Sequence, residues 1–161
     1  MFSSSILNIS KYMATSTIMH SAQAKSIGGR DGRIESTDNV LNLELTMPRS
    51  LGGRAREGAT NPEQLFAAGY AACFGNAVIH IARQAKVNVG DISVDAQVEL
   101  FMNEENLPTL GVALHANLPG VDQAQAEEIV DKAHQTCPYS RATRGNIDVK
   151  LTVTTDAVVA A

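Results

Sequence analysis

Two cysteines, Cys73 and Cys137, are the residues of this chain most suited to redox chemistry, and they lie 64 positions apart. Cys73 stands among small and apolar residues, where a thiol is most often a buried hydrophobic group. Cys137 precedes Pro138, which biases its backbone away from the α region and lets it cap a short helical turn, where N–H groups favour a thiolate. The two settings fit a peroxidatic and resolving pair, although the spacing taken alone slightly favours two unrelated cysteines.

A thiolate needs a positive neighbour, and Arg30 is a candidate because it lies in the glycine-rich turn IGGRDGR, residues 27–33. The missing β-carbons allow close packing, so the guanidinium can point inward. Glu63 falls in the first turn of the helix that carries Cys73, where a carboxylate either serves as a capping charge or holds Arg30 in a bidentate pair. Ten residues separate Glu63 from Cys73, about 15 Å along a helix, so the two cannot meet directly. Either Arg30 bridges this gap, or Glu63 comes from a partner subunit.

His80 and His134 suggest two rival sites, a Cys–His hydrolase and a zinc centre. His80 is seven residues from Cys73, about 10.5 Å along the helix axis, which is too far for a nucleophile–base pair. The set Cys73, His80, His134 and Cys137 lacks the usual spacing of zinc ligands. The sequence also lacks the phosphate-loop, nucleophile-elbow and dinucleotide-binding fingerprints. We therefore expect no metal and no cofactor.

The apolar pattern around these residues predicts an α+β domain. Residues 61–86 form a helix with Asn61 as its N-cap and Pro62 in its first position, apolar on most of its circumference. A second helix, residues 123–135, begins after Asp122. Alternating segments predict strands in antiparallel sheets, at residues 15–25, 40–47, 92–102, 110–118 and 147–154. Because so small a domain can hardly cover the first helix on all sides, we expect a homodimer that buries the remaining face.

Length and composition limit the remaining possibilities. The 161 residues suit one domain, which we place at residues 15–161 after a serine-rich N-terminal extension, residues 1–14. The net charge of −4 argues against a nucleic-acid partner. No apolar run reaches the roughly 18 residues that span a bilayer, so we expect no membrane association. Two cysteines without a secretory signal indicate a reducing compartment, and hence the cytoplasm.

Three sequence blocks together resemble the organic hydroperoxide resistance proteins, within the wider osmotically inducible protein C group. The blocks are Gly28–Gly32, Asn61–Phe74 and Cys137–Val149, and the likeness covers roughly residues 15–155. The resemblance implies a thiol peroxidase that reduces organic hydroperoxides. It also implies antiparallel sheets wrapped around a buried central helix, in an intertwined homodimer with two active sites at the subunit interface.

The resemblance assigns roles to individual residues as well. Cys73 matches the peroxidatic cysteine of the family, and Cys137 matches the resolving cysteine. Arg30 and Glu63 match the pair that assists them. The family is typically reduced by dihydrolipoyl groups on lipoylated proteins, and it uses no metal, flavin or haem. The loop at residues 50–60 carries more charge than is usual in the family.

The surroundings of Cys73 predict an apolar substrate site. Its wall is expected from apolar side chains on the same helix and on a later strand, Leu65, Phe66, Phe74, Ile79 and Leu110. Such a wall favours organic hydroperoxides over hydrogen peroxide, because each buried methylene adds binding free energy. The alternative from another functional class is a non-enzymatic redox switch, or a stress-induced binding protein, that uses the same cysteines.

Overall fold

Six β-strands and three α-helices follow one another along residues 17–157, the part of the chain that this computed structural model describes. In order they are β1 (Ala24–Ile27), β2 (Arg33–Ser36), β3 (Asn42–Glu44), α1 (Pro62–Gln84), β4 (Ser93–Met102), β5 (Pro108–Asn117), α2 (Gln123–Thr136), α3 (Pro138–Thr143) and β6 (Val149–Thr154). The strands form two three-stranded sheets, one from β1–β3 and the other from β4–β6. The predicted extension, residues 1–14, lies outside the described residues.

The first sheet is an antiparallel meander, and the turn between β1 and β2 carries Arg30. Gly28 has a φ of 78°, in the left-handed region. Gly32 leaves no room for a side chain, because a β-carbon there would collide with the Ile27 carbonyl oxygen. Glycine at both positions therefore allows so tight a turn. The turn predicted at residues 27–33 is confirmed, and it joins β1 and β2 in an antiparallel hairpin.

α1 is the long central helix, and two residues explain where it starts. Asn61 accepts a hydrogen bond from the Gln64 N–H at 2.9 Å, and Pro62 takes the first helical position, as predicted. The buried side chains lie where α1 meets α2 and the second sheet: Tyr70, Phe74, Ala77, Val78, Ile81 and Ala82. Other positions, such as Ala72 and Asn76, are exposed. A single chain therefore covers only part of the helix circumference.

By length and composition alone, α1 is also long and apolar enough to cross a membrane, contrary to the expectation from apolar runs. Helices at the centre of a protein core pass the same test. α1 has 23 residues and packs against α2 and β4 on its buried side. A place in the core therefore accounts for its apolar character.

β5 is the middle strand of the second sheet and pairs differently on its two sides. With β4 it forms an antiparallel hairpin that starts with Ser93 opposite Asn117. With β6 it pairs in parallel, Val112 lying opposite Val149. The prediction of antiparallel sheets is therefore wrong for this last pair. The chain between β5 and β6 forms α2 and α3, and such a crossover brings the next strand back in the same direction.

The core lies between the second sheet and the helices α1 and α2. β5 contributes its buried side chains Val112, Leu114 and Ala116. α2 starts after Asp122, which accepts the Gln125 N–H at 3.0 Å as predicted, and it adds Ala126, Ile129, Val130 and Ala133. The strands β1 and β3 are exposed over their whole length, so the first sheet stands outside this core.

Candidate active site

The structure brings the two cysteines together where α3 packs on α1. Their Sγ atoms lie 3.6 Å apart, with the Cys137 thiol donating to Cys73. Cys137 ends α2 and begins α3, since its N–H donates to Ala133 and its carbonyl accepts from the Arg141 N–H. The extended backbone that Pro138 favours makes the sharp corner between the helices, and the predicted helical turn is confirmed. A disulfide needs an S–S distance of about 2.05 Å, so the two sulfurs have to move closer before they can bond.

The surroundings of Cys73 within one chain favour its neutral thiol. Burial raises the pKa of Cys73, a backbone hydrogen bond from Tyr139 opposes this rise, and Cys137 adds to it. Cys73 is half-buried, whereas Cys137 is fully buried. A reactive thiolate at Cys73 therefore needs a positive group besides the neighbours that its own chain supplies.

Arg30 and Glu63 form a bidentate ion pair within one chain. Nη1 of Arg30 donates to Oε2 of Glu63 at 2.8 Å, and Nη2 donates to Oε1 at 2.6 Å. These hydrogen bonds hold the pKa of Glu63 below its ordinary value, although partial burial acts in the opposite direction, and they raise the pKa of Arg30. The turn that carries Arg30 is itself held by a hydrogen bond, because Asp31 accepts the Met47 N–H at 2.9 Å. The structure thus contains the bidentate pair rather than a capping carboxylate alone.

The ion pair and the cysteines occupy separate places on one chain. Glu63 and Cys73 both belong to α1, ten residues and therefore about 15 Å apart along the helix axis. Beside Glu63 lies a cleft of about 360 Å³, whose apolar lining comes from Pro48, Leu51, Ala67, Ala96, Val98 and Leu100. One chain therefore presents a paired guanidinium near a cleft with both polar and apolar lining, and a pair of sulfurs farther along α1.

The five residues expected to form the substrate wall are spread over the fold. Phe66 lies near the cysteines, because its ring centroid is 6.3 Å from that of Tyr139. The backbone of Tyr139 forms a hydrogen bond with Cys73. Phe74 is fully buried in the core, with its ring 6.4 Å from that of His134. The other three are half-buried: Leu65 and Ile79 on α1, and Leu110 on β5. None of the five lines the cleft beside the ion pair.

Sequence reasoning missed a cluster of aromatic and hydroxyl groups that joins α1 to α3. Tyr70 is fully buried, its ring centroid is 5.7 Å from that of Tyr139, and its hydroxyl donates to Ser140 Oγ at 3.0 Å. Tyr139 covers Gly69, where an added β-carbon would come within 3.1 Å of the tyrosine hydroxyl. The available signal was the spacing of Tyr70 and Ser140, each three residues from a cysteine and hence on the same helix face.

The structure gives no support to the two rival sites, the Cys–His hydrolase and the zinc centre, within the described residues. Within residues 17–157, no three His, Cys, Asp or Glu side chains lie close enough together to hold a metal ion. His80 is exposed on α1, and His134 is half-buried against Phe74.

Known proteins are similar to this chain in sequence. Residues 54–152 match the family described as OsmC-like protein. The chain belongs to the OsmC-like protein family. One OsmC-like relative, the organic hydroperoxide resistance protein of Xanthomonas axonopodis pv. citri, is 48% identical over 137 residues, which make up 84% of this chain and 95% of that protein.

Solved structures extend the OsmC-like resemblance to three dimensions. The organic hydroperoxide resistance protein OsmC of Legionella pneumophila is 52% identical with a TM-score of 0.82, and the match covers 86% of this chain and 100% of that chain. The organic hydroperoxide resistance protein of Bacillus subtilis is 44% identical with a TM-score of 0.77, covering 85% and 100% of the two chains. The resemblance inferred from the three sequence blocks is confirmed, as is the α+β OsmC-like fold.

Proposed function

We propose that this OsmC-like protein is a cysteine-dependent peroxidase that reduces organic hydroperoxides to alcohols, in defence against oxidative stress. The observation that carries the proposal is the 3.6 Å approach of Cys73 and Cys137, because two thiols this close can alternate between reduced and disulfide forms. Relatives named organic hydroperoxide resistance proteins support the substrate class. The chemistry of sulfenic acid and disulfide requires no metal or organic cofactor.

The reaction begins at Cys73, the more accessible of the two sulfurs. Its thiolate attacks the outer peroxide oxygen, so that an S–O bond forms, the O–O bond breaks, and the alkoxide takes a proton and leaves as alcohol. The sulfur of Cys137 then attacks the sulfenic sulfur. The S–S bond forms, the S–O bond breaks, and the hydroxyl group leaves as water with the proton of Cys137.

An external dithiol has to reduce the disulfide and complete the cycle. Dihydrolipoyl groups on lipoylated proteins are the dithiol that the family resemblance suggests, and the cytoplasm is a compartment that keeps dithiols reduced. The burial of Cys137 favours attack of this dithiol on Cys73, with Cys137 as the leaving thiolate. Exchange then oxidises the dithiol and returns both cysteines to thiols.

A homodimer is part of the proposal, since one chain leaves much apolar surface uncovered. On and beside the first sheet, Ile27 is 44% exposed, Leu41 is 42% exposed and Val40 is 80% exposed. A second side of α1 also lacks cover, as Ala72 and Asn76 show. Exposed apolar side chains on a small domain are often covered by a partner, and a second copy of the chain is the partner that we propose.

Such a dimer would form a composite site. Glu63 lies about 15 Å along α1 from Cys73 of its own chain and holds Arg30 beside it, whereas the same pair from a second copy could approach that thiol. The guanidinium would then lower the pKa of Cys73 and polarise the peroxide. Glu63 would raise that pKa if it acted directly, so its proposed role is to aim Arg30. The organic group of the substrate would lie between the cleft beside Glu63 and the wall expected around Cys73, where Phe66 packs near Tyr139.

Steady-state consumption of cumene hydroperoxide, with dihydrolipoamide as the reductant, tests this function. Cys73→Ser should lose turnover. Cys137→Ser should react with one equivalent of peroxide and then stop, and mass spectrometry should find Cys73 oxidised. His80→Ala serves as the control and should keep normal turnover, because the exposed histidine takes no part.

Near-normal turnover in Cys73→Ser would refute the proposal. A wild-type protein that consumes one equivalent of peroxide and never turns over would instead be a redox switch. Loss of turnover in His80→Ala would favour the rival nucleophile–base pair.

A further inference from the structure

A short row of residue contacts, here called the ladder, joins α3 to α1 and ends at the two cysteines. Three pairs follow one another: Gly69 with Tyr139, Tyr70 with Ser140, and Cys73 with Cys137. The middle pair is the most deeply placed, because Tyr70 and Ser140 are both 0% exposed. Each of these two residues is three positions, or about one helical turn, from the cysteine on its own helix.

The hydroxyl groups of this ladder leave α3 little freedom. The Tyr70 hydroxyl donates to Ser140 Oγ at 3.0 Å and lies 3.3 Å from Thr143 Oγ1. The Thr143 hydroxyl donates in turn to the carbonyl groups of Tyr139 and Ser140, at 3.0 and 3.2 Å. A buried hydroxyl without a partner is strongly unfavourable. Because the bonds of Thr143 to the carbonyl groups lie within α3, the contacts of the Tyr70 hydroxyl are the hydrogen bonds of this network that tie α3 to α1.

We propose that the hydrogen bond between Tyr70 and Ser140 positions Cys137 for disulfide formation with Cys73. Its biological meaning rests on the proposed peroxidase function, in which the S–S bond forms as the sulfenic S–O bond breaks and water leaves. To react, the sulfurs have to close from 3.6 Å to about 2.05 Å. A displacement of α3 by about 1 Å would remove much of the reactive population. Tyr70 and Ser140 are thus positioning residues of the resolving step.

Tyr70→Phe is the sharpest test, because it keeps the ring and its contacts with Phe66 and Tyr139 and removes only the hydroxyl. The first measurement is the equilibrium between the Cys73–Cys137 disulfide and its dithiol in glutathione redox buffers, which needs no peroxide. Loss of the hydrogen bond should lower the effective concentration of the two thiols about tenfold. Thr46→Val is the matched control: it removes another buried hydroxyl, which accepts the Arg56 N–H far from α3, and should leave the equilibrium unchanged.

The second measurement follows the reaction with one equivalent of cumene hydroperoxide. Tyr70→Phe should react at the wild-type rate in the first step, because Cys73 is intact. Disulfide formation should slow about tenfold, so that dimedone traps more sulfenic acid on Cys73 and excess peroxide overoxidises it sooner. Ser140→Ala should behave in the same way, and the double variant should be no worse than either single variant, because all three lack one and the same bond.

The outcomes separate the two proposals. A wild-type equilibrium together with wild-type trapping in Tyr70→Phe would overturn the positioning role, as would fully additive effects in the double variant. If wild type failed to react with peroxide, the peroxidase function would fall, while the glutathione equilibrium would still decide the positioning role. If Tyr70→Phe failed to fold, Ser140→Ala would carry the same two measurements.

Discussion

Replacing Glu63 by glutamine removes the charge that holds Arg30 and keeps the shape of the side chain. The wild-type contact consists of hydrogen bonds at 2.8 and 2.6 Å, between side chains that are 32% and 16% exposed. The amide oxygen still accepts one of these bonds, but the amide NH₂ meets the other guanidinium N–H and repels it. We expect the free energy of unfolding to fall by about 1.5 kcal/mol, which is about 4 °C in Tm. This value lies between the contribution of a surface ion pair and that of a buried charged hydrogen bond.

The pH dependence of this loss follows from the pKa of Glu63, which the hydrogen bonds from Arg30 lower in the folded protein. A carboxyl of this kind stabilises the fold fully above its unfolded-state pKa of about 4.3, and the contribution disappears as the pH falls through the folded-state pKa. Glutamine has no such titration. The difference in unfolding free energy between wild type and Glu63→Gln should therefore be constant at neutral pH and shrink below about pH 4.3.

Urea or thermal unfolding at one protein concentration, from about pH 3 to pH 8, measures this difference. Glu128→Gln is the matched control, because Glu128 also contacts its partner at 2.6 Å, but Glu128 and Lys132 are 65% and 58% exposed. The control should lose at most about 0.5 kcal/mol at neutral pH. Equal losses in the two variants would refute the interpretation of a partly buried pair. So would a loss at Glu63 that stays undiminished at about pH 3.

The proposed apolar wall predicts that cumene hydroperoxide is consumed with a second-order rate constant at least about tenfold above that of hydrogen peroxide, since each buried methylene adds about 0.8 kcal/mol. Equal rate constants in a peroxide-consumption assay would contradict the wall. Gly69→Ala and Gly75→Ala each add a methyl group to α1, which should raise the free energy of unfolding by up to about 1 kcal/mol. Only at Gly69 does the new carbon crowd Tyr139, at 3.1 Å, against 3.7 Å to Val94 at Gly75. Gly69→Ala should therefore show the smaller gain in unfolding free energy in an unfolding assay, and the slower reduction of peroxide in a turnover assay. Identical behaviour of the two variants would mean that Tyr139 moves aside freely.

Features that depend on neighbours in the sequence could be predicted from residue types. Asn61 and Asp122 cap their helices through N–H groups three residues ahead, so a local pattern is sufficient to recognise them. Pro138 likewise restricts the backbone of Cys137 directly. At the candidate site, residue types singled out Cys73 and Cys137, the two thiols of the chain, with Arg30 as a possible positive neighbour, and the structure brings the two cysteines together.

Features that depend on distant contacts could not be predicted. The alternation in β6 is the same whichever way the strand runs, so the pattern does not distinguish parallel from antiparallel pairing. The hydroxyl of Tyr70 finds its partner 70 positions later, in a segment that no local rule connects with it. The strand expected at residues 40–47 is only Asn42–Glu44, since the local pattern does not show where a neighbouring strand stops pairing.

Ribosomal synthesis delivers the two cysteines at different times, because Cys137 lies on a crossover that follows α1, β4, β5 and α2. At about 5 to 20 residues per second, the 64 positions from Cys73 to Cys137 take about 3 to 13 s to appear. During that interval Cys73 is a thiol without its sulfur partner, in a chain whose core still lacks α2. The nascent chain therefore presents Cys73 without Cys137 until α3 has been made and docks on α1.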